Sequence, residues 1–67
     1  MKTEICYRSY KTDDEIYTIS REEQCFNIPN KGDEIAFEWK DAQSYIVKER
    51  SFYYLDNGNL EIHIFIE

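Results

Sequence analysis

The sequence predicts an all-β domain: one small, strongly bent antiparallel sheet of about five strands. Three observations carry that expectation. The C-terminal run LEIHIFIE places Leu60, Ile62, Ile64 and Ile66 at strict period two, with Glu61, His63, Phe65 and Glu67 on the opposite face. Asn57-Gly58 stands before it as the signal of a two-residue hairpin with a type I′ turn, which needs positive φ at both central residues. The segment SYIVKERSFYYL carries apolar Tyr45 and Val47 at one parity, then Phe52 and Tyr54 at the other. A plain strand cannot keep both sets on one face, so a bulge or bend is expected between Lys48 and Ser51.

Taken in order, TEICYRSY alternates with Ile5 and Tyr7 on one side and Cys6, Arg8 and Tyr10 on the other. KTDDE is polar and turn-like, and IYTIS is β-branched, which reads as a strand over 15–20 returning from a hairpin. Thr12 with Glu15, and Ser20 with Glu23, also fit capping boxes, so a short helical turn near 21–25 competes with strand. Pro29 lacks an N–H and ends a segment, and Gly32 supplies the positive φ of a turn over 30–33. Ile35, Phe37 and Trp39 then alternate with Glu34, Ala36 and Glu38, an expected half-buried strand whose Ile-Phe-Trp row fills the core. KDAQS connects it to the next strand, and the last three strands read as a meander. The competing closures are an SH3-like or OB-like barrel and an open sheet that dimerises; at this length the SH3-like form is the more economical.

The stretch IPNKGDEIAFEW, followed by SYIVKERSFYYLDNGNLEIHIFIE, resembles short uncharacterised proteins of bacteria and their phages. In these a proline–glycine–acidic turn starts a strand, a Y-x-V strand follows, and an alternating C-terminal strand closes a small barrel. The likeness covers roughly the last forty residues and consists of structural motifs. It implies the fold and transfers no catalytic or binding residue.

Sixty-seven residues make a single domain, 1–67. A chain this short buries only about 60 % of its unfolded surface. Six Tyr, four Phe and one Trp offer a compact apolar core without a cofactor. Two cysteines, Cys6 and Cys25, could form one bridge or stay as free thiols in a reducing compartment, and no CxxC or four-ligand zinc spacing is present. No apolar run approaches the ~18 residues of a membrane span. MKTEICYRSY has no continuous apolar segment of the kind a secretion signal carries, which makes cytoplasmic the expected location. A net charge of −6, from fourteen acids and eight bases, disfavours nucleic acid and favours a cationic partner.

Candidate chemistry is sparse. His63 shares a strand face with Glu61 and more distantly Glu67, a poor zinc set, and no Ser, Cys or Asp lies local to it in sequence. Arg8 shares a face with Cys6, enough for a mildly lowered thiol pKa and nothing more. Two glycines exclude a phosphate loop or dinucleotide fingerprint. Glu34 and Glu38 would lie about 13 Å apart on a strand, too far for paired acid–base work. No catalytic, cofactor or metal residue is therefore assigned, and an enzyme is not expected.

Tyr10, Tyr17, Tyr53 and Phe65 fall on faces where the pattern does not demand burial, and with the outward Glu34 and Glu38 they form the expected protein-contact set. The leading expectation is a non-enzymatic protein-interaction domain, of the kind a phage or mobile element carries as an accessory or inhibitor. A homo-oligomer pairing through the edge of the C-terminal strand is the second. A barrel-type single-strand nucleic-acid binder using Lys48 and Arg50 is the third.

Overall fold

The computed structural model describes residues 2–22, 28–40 and 43–67. Five strands form one curled sheet: β1 (Thr3–Ser9), β2 (Glu15–Arg21), β3 (Glu34–Ala36), β4 (Ser44–Tyr54) and β5 (Leu60–Ile66). Their spatial order is β2-β1-β5-β4-β3, and the sheet sweeps through 246° as a half-barrel. The all-β, five-stranded, strongly bent expectation holds. The hairpin β1–β2 and the meander β3–β4–β5 are antiparallel, as their short connections require. The sheet is nevertheless mixed, because β1 and β5 run parallel. That pairing joins the two ends of the chain and has no signal in either strand alone.

β5 lies at the centre with both its edges paired, so it cannot offer an edge to a second copy as the sequence suggested. Its register explains the core. Ile62 faces Ile5 of β1 and Phe52 of β4, Ile64 faces Tyr7 and Arg50, and Ile66 faces Val47. Ile5, Phe37, Val47, Ile62, Ile64 and Ile66 make one buried cluster. Each isoleucine withdrawn from water contributes roughly 1.5–3 kcal/mol.

Two irregularities bend the sheet. The register slips between Tyr7 and Arg8 against β2, and between Val47 and Glu49 against β5. The second is the bulge that the parity switch demanded: Lys48 is the extra residue, and past it Phe52 and Tyr54 rejoin the face of Ile62 and Leu60. They share that face without being covered. β3 pairs with only Ser44, Tyr45 and Ile46, so the far end of β4 is bare and Tyr54 is 81 % exposed.

The turns follow their residues with two corrections. Asn30 N–H donates to the Asp33 carboxylate at 2.7 Å and Asp33 N–H to Asn30 O at 3.0 Å, around Gly32 at φ 95°. The β4–β5 connection is a three-residue loop closed by Leu55 N–H to Asn59 O, with Gly58 at φ 87°; Asn57 keeps a negative φ, so the expected two-residue type I′ turn is not formed. The third strand ends at Ala36, where the sequence suggested continuation to Trp39. A turn closed by Lys40 N–H to Phe37 O drives Phe37 inward to 4 % exposure and leaves Trp39 outside the core at 69 %. In the 21–25 region Arg21 ends β2 and Glu22 is a bend; the remainder of that expected helical turn lies outside the described residues. Among the described residues no helix is long and apolar enough to cross a membrane.

Ile64→Ala should cost about 2–5 kcal/mol, a large share of the stability available to a domain this small. Urea denaturation is the check, with Tyr54→Ser as a surface control expected within ~0.5 kcal/mol of wild type. Deleting Lys48 should be worse than either, because it removes the bulge and returns Phe52 and Tyr54 to the wrong face.

Candidate protein-contact site

Curling brings β2 and β3, the two ends of the strand order, towards each other without a hydrogen-bonded ladder between them. Aromatic rings span the gap. Phe37 is the hub, with ring centroids 5.1 Å from Tyr7, 5.6 Å from Tyr17, 5.7 Å from Trp39 and 5.9 Å from Tyr45. Trp39 stands edge-on to Tyr17 at 5.3 Å, and Tyr17 stacks on its cross-strand partner Tyr7 at 6.4 Å. Ring pairs of this geometry add about 0.5–1.5 kcal/mol each beyond their burial. Most of the cluster is half-buried, and Trp39 presents its free face to solvent at the mouth of the half-barrel.

Beside the mouth runs the outer edge of β2. Leu60 N–H donates to Lys2 O and Tyr10 N–H to Ile66 O, so the even residues of β1 and β5 bond each other. The odd residues of β1 therefore bond β2, through Tyr17, Ile19 and Arg21. Thr18 and Ser20 are left with N–H and C=O groups directed outward, unpaired among the described residues, whereas Ile16 is the extra residue of the register slip and falls outside this alternation. Near the same mouth an open hollow of about 420 Å³ is lined by Tyr7, Ile28, Pro29, Asp33, Glu34 and Ile35. It combines apolar walls with two carboxylates.

The six residues expected to make contacts separate into three places. Tyr17, Glu34 and Glu38 belong to the mouth: Tyr17 is drawn inward into the ring cluster, Glu34 lines the hollow, and Glu38 is exposed next to Trp39 in the chain. Tyr53 and Phe65 lie on the convex face, either side of His63, at 5.0 and 6.4 Å. Tyr10 is exposed beyond β1, with the Lys48 ammonium 6.0 Å from its ring centroid. Trp39 was missed because strand alternation assigned it to the core, and no one-strand pattern could have revealed the turn after Ala36.

The convex face also corrects the reading of His63 as remote from nucleophiles. Cross-strand pairing sets Cys6 and Ser51 on either side of it, a proximity that exists only in the assembled sheet. His63 Nε2 and Glu61 Oε1 are 2.7 Å apart. The Cys6 thiol, which is free and buried, donates to Glu15 at 3.8 Å and receives the Arg8 guanidinium at 3.8 Å; Cys25 lies outside the described residues. Arg8 is held by Asp13 as well, at 2.9 Å, and that bond is the first cause raising its pKa further. Among the described residues no hydrogen bond links His63 to Cys6 or Ser51, so no nucleophile–base pair is assembled. No group of three or more donors there could hold a metal ion.

No protein-family model, curated protein or solved structure matches the chain.

Burial, then the neighbouring Tyr17, raises the Tyr7 pKa above its ordinary value of 10.0. A phenol whose folded pKa lies above the unfolded one stabilises the fold fully below the unfolded pKa and loses that contribution as pH rises through the folded value. The urea midpoint should therefore fall above about pH 10, and Tyr7→Phe should flatten that alkaline decline.

Proposed function

We propose that this chain is a non-enzymatic protein-interaction domain that takes an extended, cationic segment of a partner protein at the mouth of its half-barrel. The observation that carries the reading is Trp39: a tryptophan 69 % exposed yet fixed by two ring contacts, beside an unpaired strand edge. An exposed, oriented indole offers a large apolar contact at low entropic cost and is a good face for a Lys or Arg side chain. The edge formed by Thr18 and Ser20 would supply backbone hydrogen bonds to an added strand. Glu38 follows Phe37 in the same turn, and Asp33 and Glu34 line the adjoining hollow, so positive side chains on either side of the added strand meet carboxylates. The net charge of −6 draws such a partner in and repels nucleic acid.

The setting we propose follows from the resemblance noted in the sequence: a cytoplasmic accessory or inhibitor protein of a phage or mobile element, on a small SH3-like barrel. The half-barrel shape is compatible with that class.

The sole tryptophan makes the test direct. Titration with extended Lys/Arg-rich peptides should shift Trp39 emission, and the affinity should fall as salt is raised. Trp39→Ala, followed by calorimetry, should weaken binding by roughly tenfold or more. Thr18→Pro, which removes an outward N–H without touching the β1–β2 ladder, should weaken it too. Unchanged emission across such peptides, together with a lysate pull-down that retains nothing at low salt, would sink the reading.

A further inference from the structure

Past Ile46 the outer edge of β4 is a second edge left vacant among the described residues. Ile46 and Glu67 exchange both backbone bonds, at 3.0 and 3.1 Å, while Val47 turns its N–H and C=O to Asp33 and Gly32 on the other side. Past the bulge the odd residues of β5 still face β4, so Glu49, Ser51 and Tyr53 bond Phe65, His63 and Glu61. Arg50, Phe52 and Tyr54 therefore direct their N–H and C=O groups away from the sheet. β3 stops pairing at Ile46, and among the described residues no backbone bond reaches these groups, although the Arg50 guanidinium donates to Pro29 O at 3.3 Å.

Natural edges of this kind are guarded by Lys, Pro or an inward charge. From Ser51 to Leu55 this edge carries no such guard: it reads Ser-Phe-Tyr-Tyr-Leu, and the last four side chains are all exposed. We propose that a second copy of this chain covers it, β4 against β4 in antiparallel register about a twofold axis at Phe52. An antiparallel ladder sets edge-facing residues opposite edge-facing residues. Only registers centred on an edge-facing residue, or on the residue between two of them, satisfy that rule. Centring on Arg50 would oppose two guanidinium groups. Centring on Phe52 uses all three edge-facing residues. It places Phe52 against Phe52, and Arg50 against Tyr54 of the second copy, twice.

The side chains suit that arrangement. The Arg50 guanidinium already lies 5.5 Å from the Phe52 ring centroid on the same face, and the register adds the Tyr54 ring of the second copy. Asp56 of the second copy becomes the diagonal neighbour of Arg50, an opposite charge within reach of a long side chain. On the other face Ser51 meets Tyr53. The pairing needs no rearrangement of either sheet and joins the two half-barrels through one continuous ladder.

This dimer uses a different edge from the partner-binding mouth, so either proposal can fail alone. Sedimentation velocity of the full chain across the micromolar range should show a concentration-dependent dimer. Tyr54→Pro deletes an N–H that the domain itself does not use, and should give a monomer with an unchanged far-UV spectrum. Phe52→Lys, which sets two like charges on the axis, should give the same result and decides the matter if the proline variant unfolds. Both variants should retain the peptide-induced change in Trp39 emission. A wild-type chain that stays monomeric throughout the range, or a dimer that survives both substitutions, overturns the proposal.

Discussion

Everything in this domain follows from burying one face of β5. Ile62, Ile64 and Ile66 can leave water only if strands pair on both sides of them, since a bare backbone edge beside a core would leave N–H and C=O groups unsatisfied. β4 supplies one side through a tight hairpin. The other side must come from elsewhere in the chain, and β1 supplies it in parallel register, Ile5 against Ile62 and Tyr7 against Ile64. The first and last strands are thereby joined at the centre of the sheet. The strands that would ordinarily be interior in sequence, β2 and β3, are expelled to its two ends.

That inversion explains the aromatic cluster. A five-stranded sheet whose ends do not hydrogen-bond has an open mouth, and its concave face would flood. Phe37 prevents this from the end of β3 by reaching Tyr7 and Tyr17 across the gap. Side-chain contact substitutes for a closing ladder. The consequence is a core sealed by rings and, among the described residues, two strand edges with unpaired backbone, which natural sheets usually guard. The residues that plug the mouth also orient Trp39, so the proposed recognition would share its origin with stability.

Much of the architecture could be read from the chain. The alternation of LEIHIFIE, the parity switch around Lys48 and the positive φ of Gly32 and Gly58 are local signals that appear in the structure, although Gly58 serves a three-residue loop in place of the expected two-residue turn. What escaped was tertiary. Parallel pairing of β1 with β5 depends on two strands more than fifty residues apart, and with it went the neighbourhood of His63. Trp39 was misplaced for a related reason: alternation can be extended indefinitely on paper, while the real strand stops where its partner stops. Of the contact residues, Tyr17, Glu34 and Glu38 gather near one opening, whereas Tyr10, Tyr53 and Phe65 are scattered by the curl.

The two edges left vacant among the described residues differ in chemistry, and the two proposals rest on that difference. The β2 edge is flanked by an indole and by carboxylates, so on the proposed reading it would discriminate by charge and disfavour another acidic surface such as this chain's own. The β4 edge carries Arg50 over the Phe52 ring, and the proposed register would bring Tyr54 and Asp56 of the second copy beside it, so a copy of this edge would meet opposite charge locally. Overall repulsion between two chains of net charge −6 is screened over about 8–10 Å at ordinary ionic strength, whereas contacts across a shared ladder are made at much shorter range. On the two proposals, long-range charge would select what reaches the mouth, and short-range complementarity would select what pairs along β4.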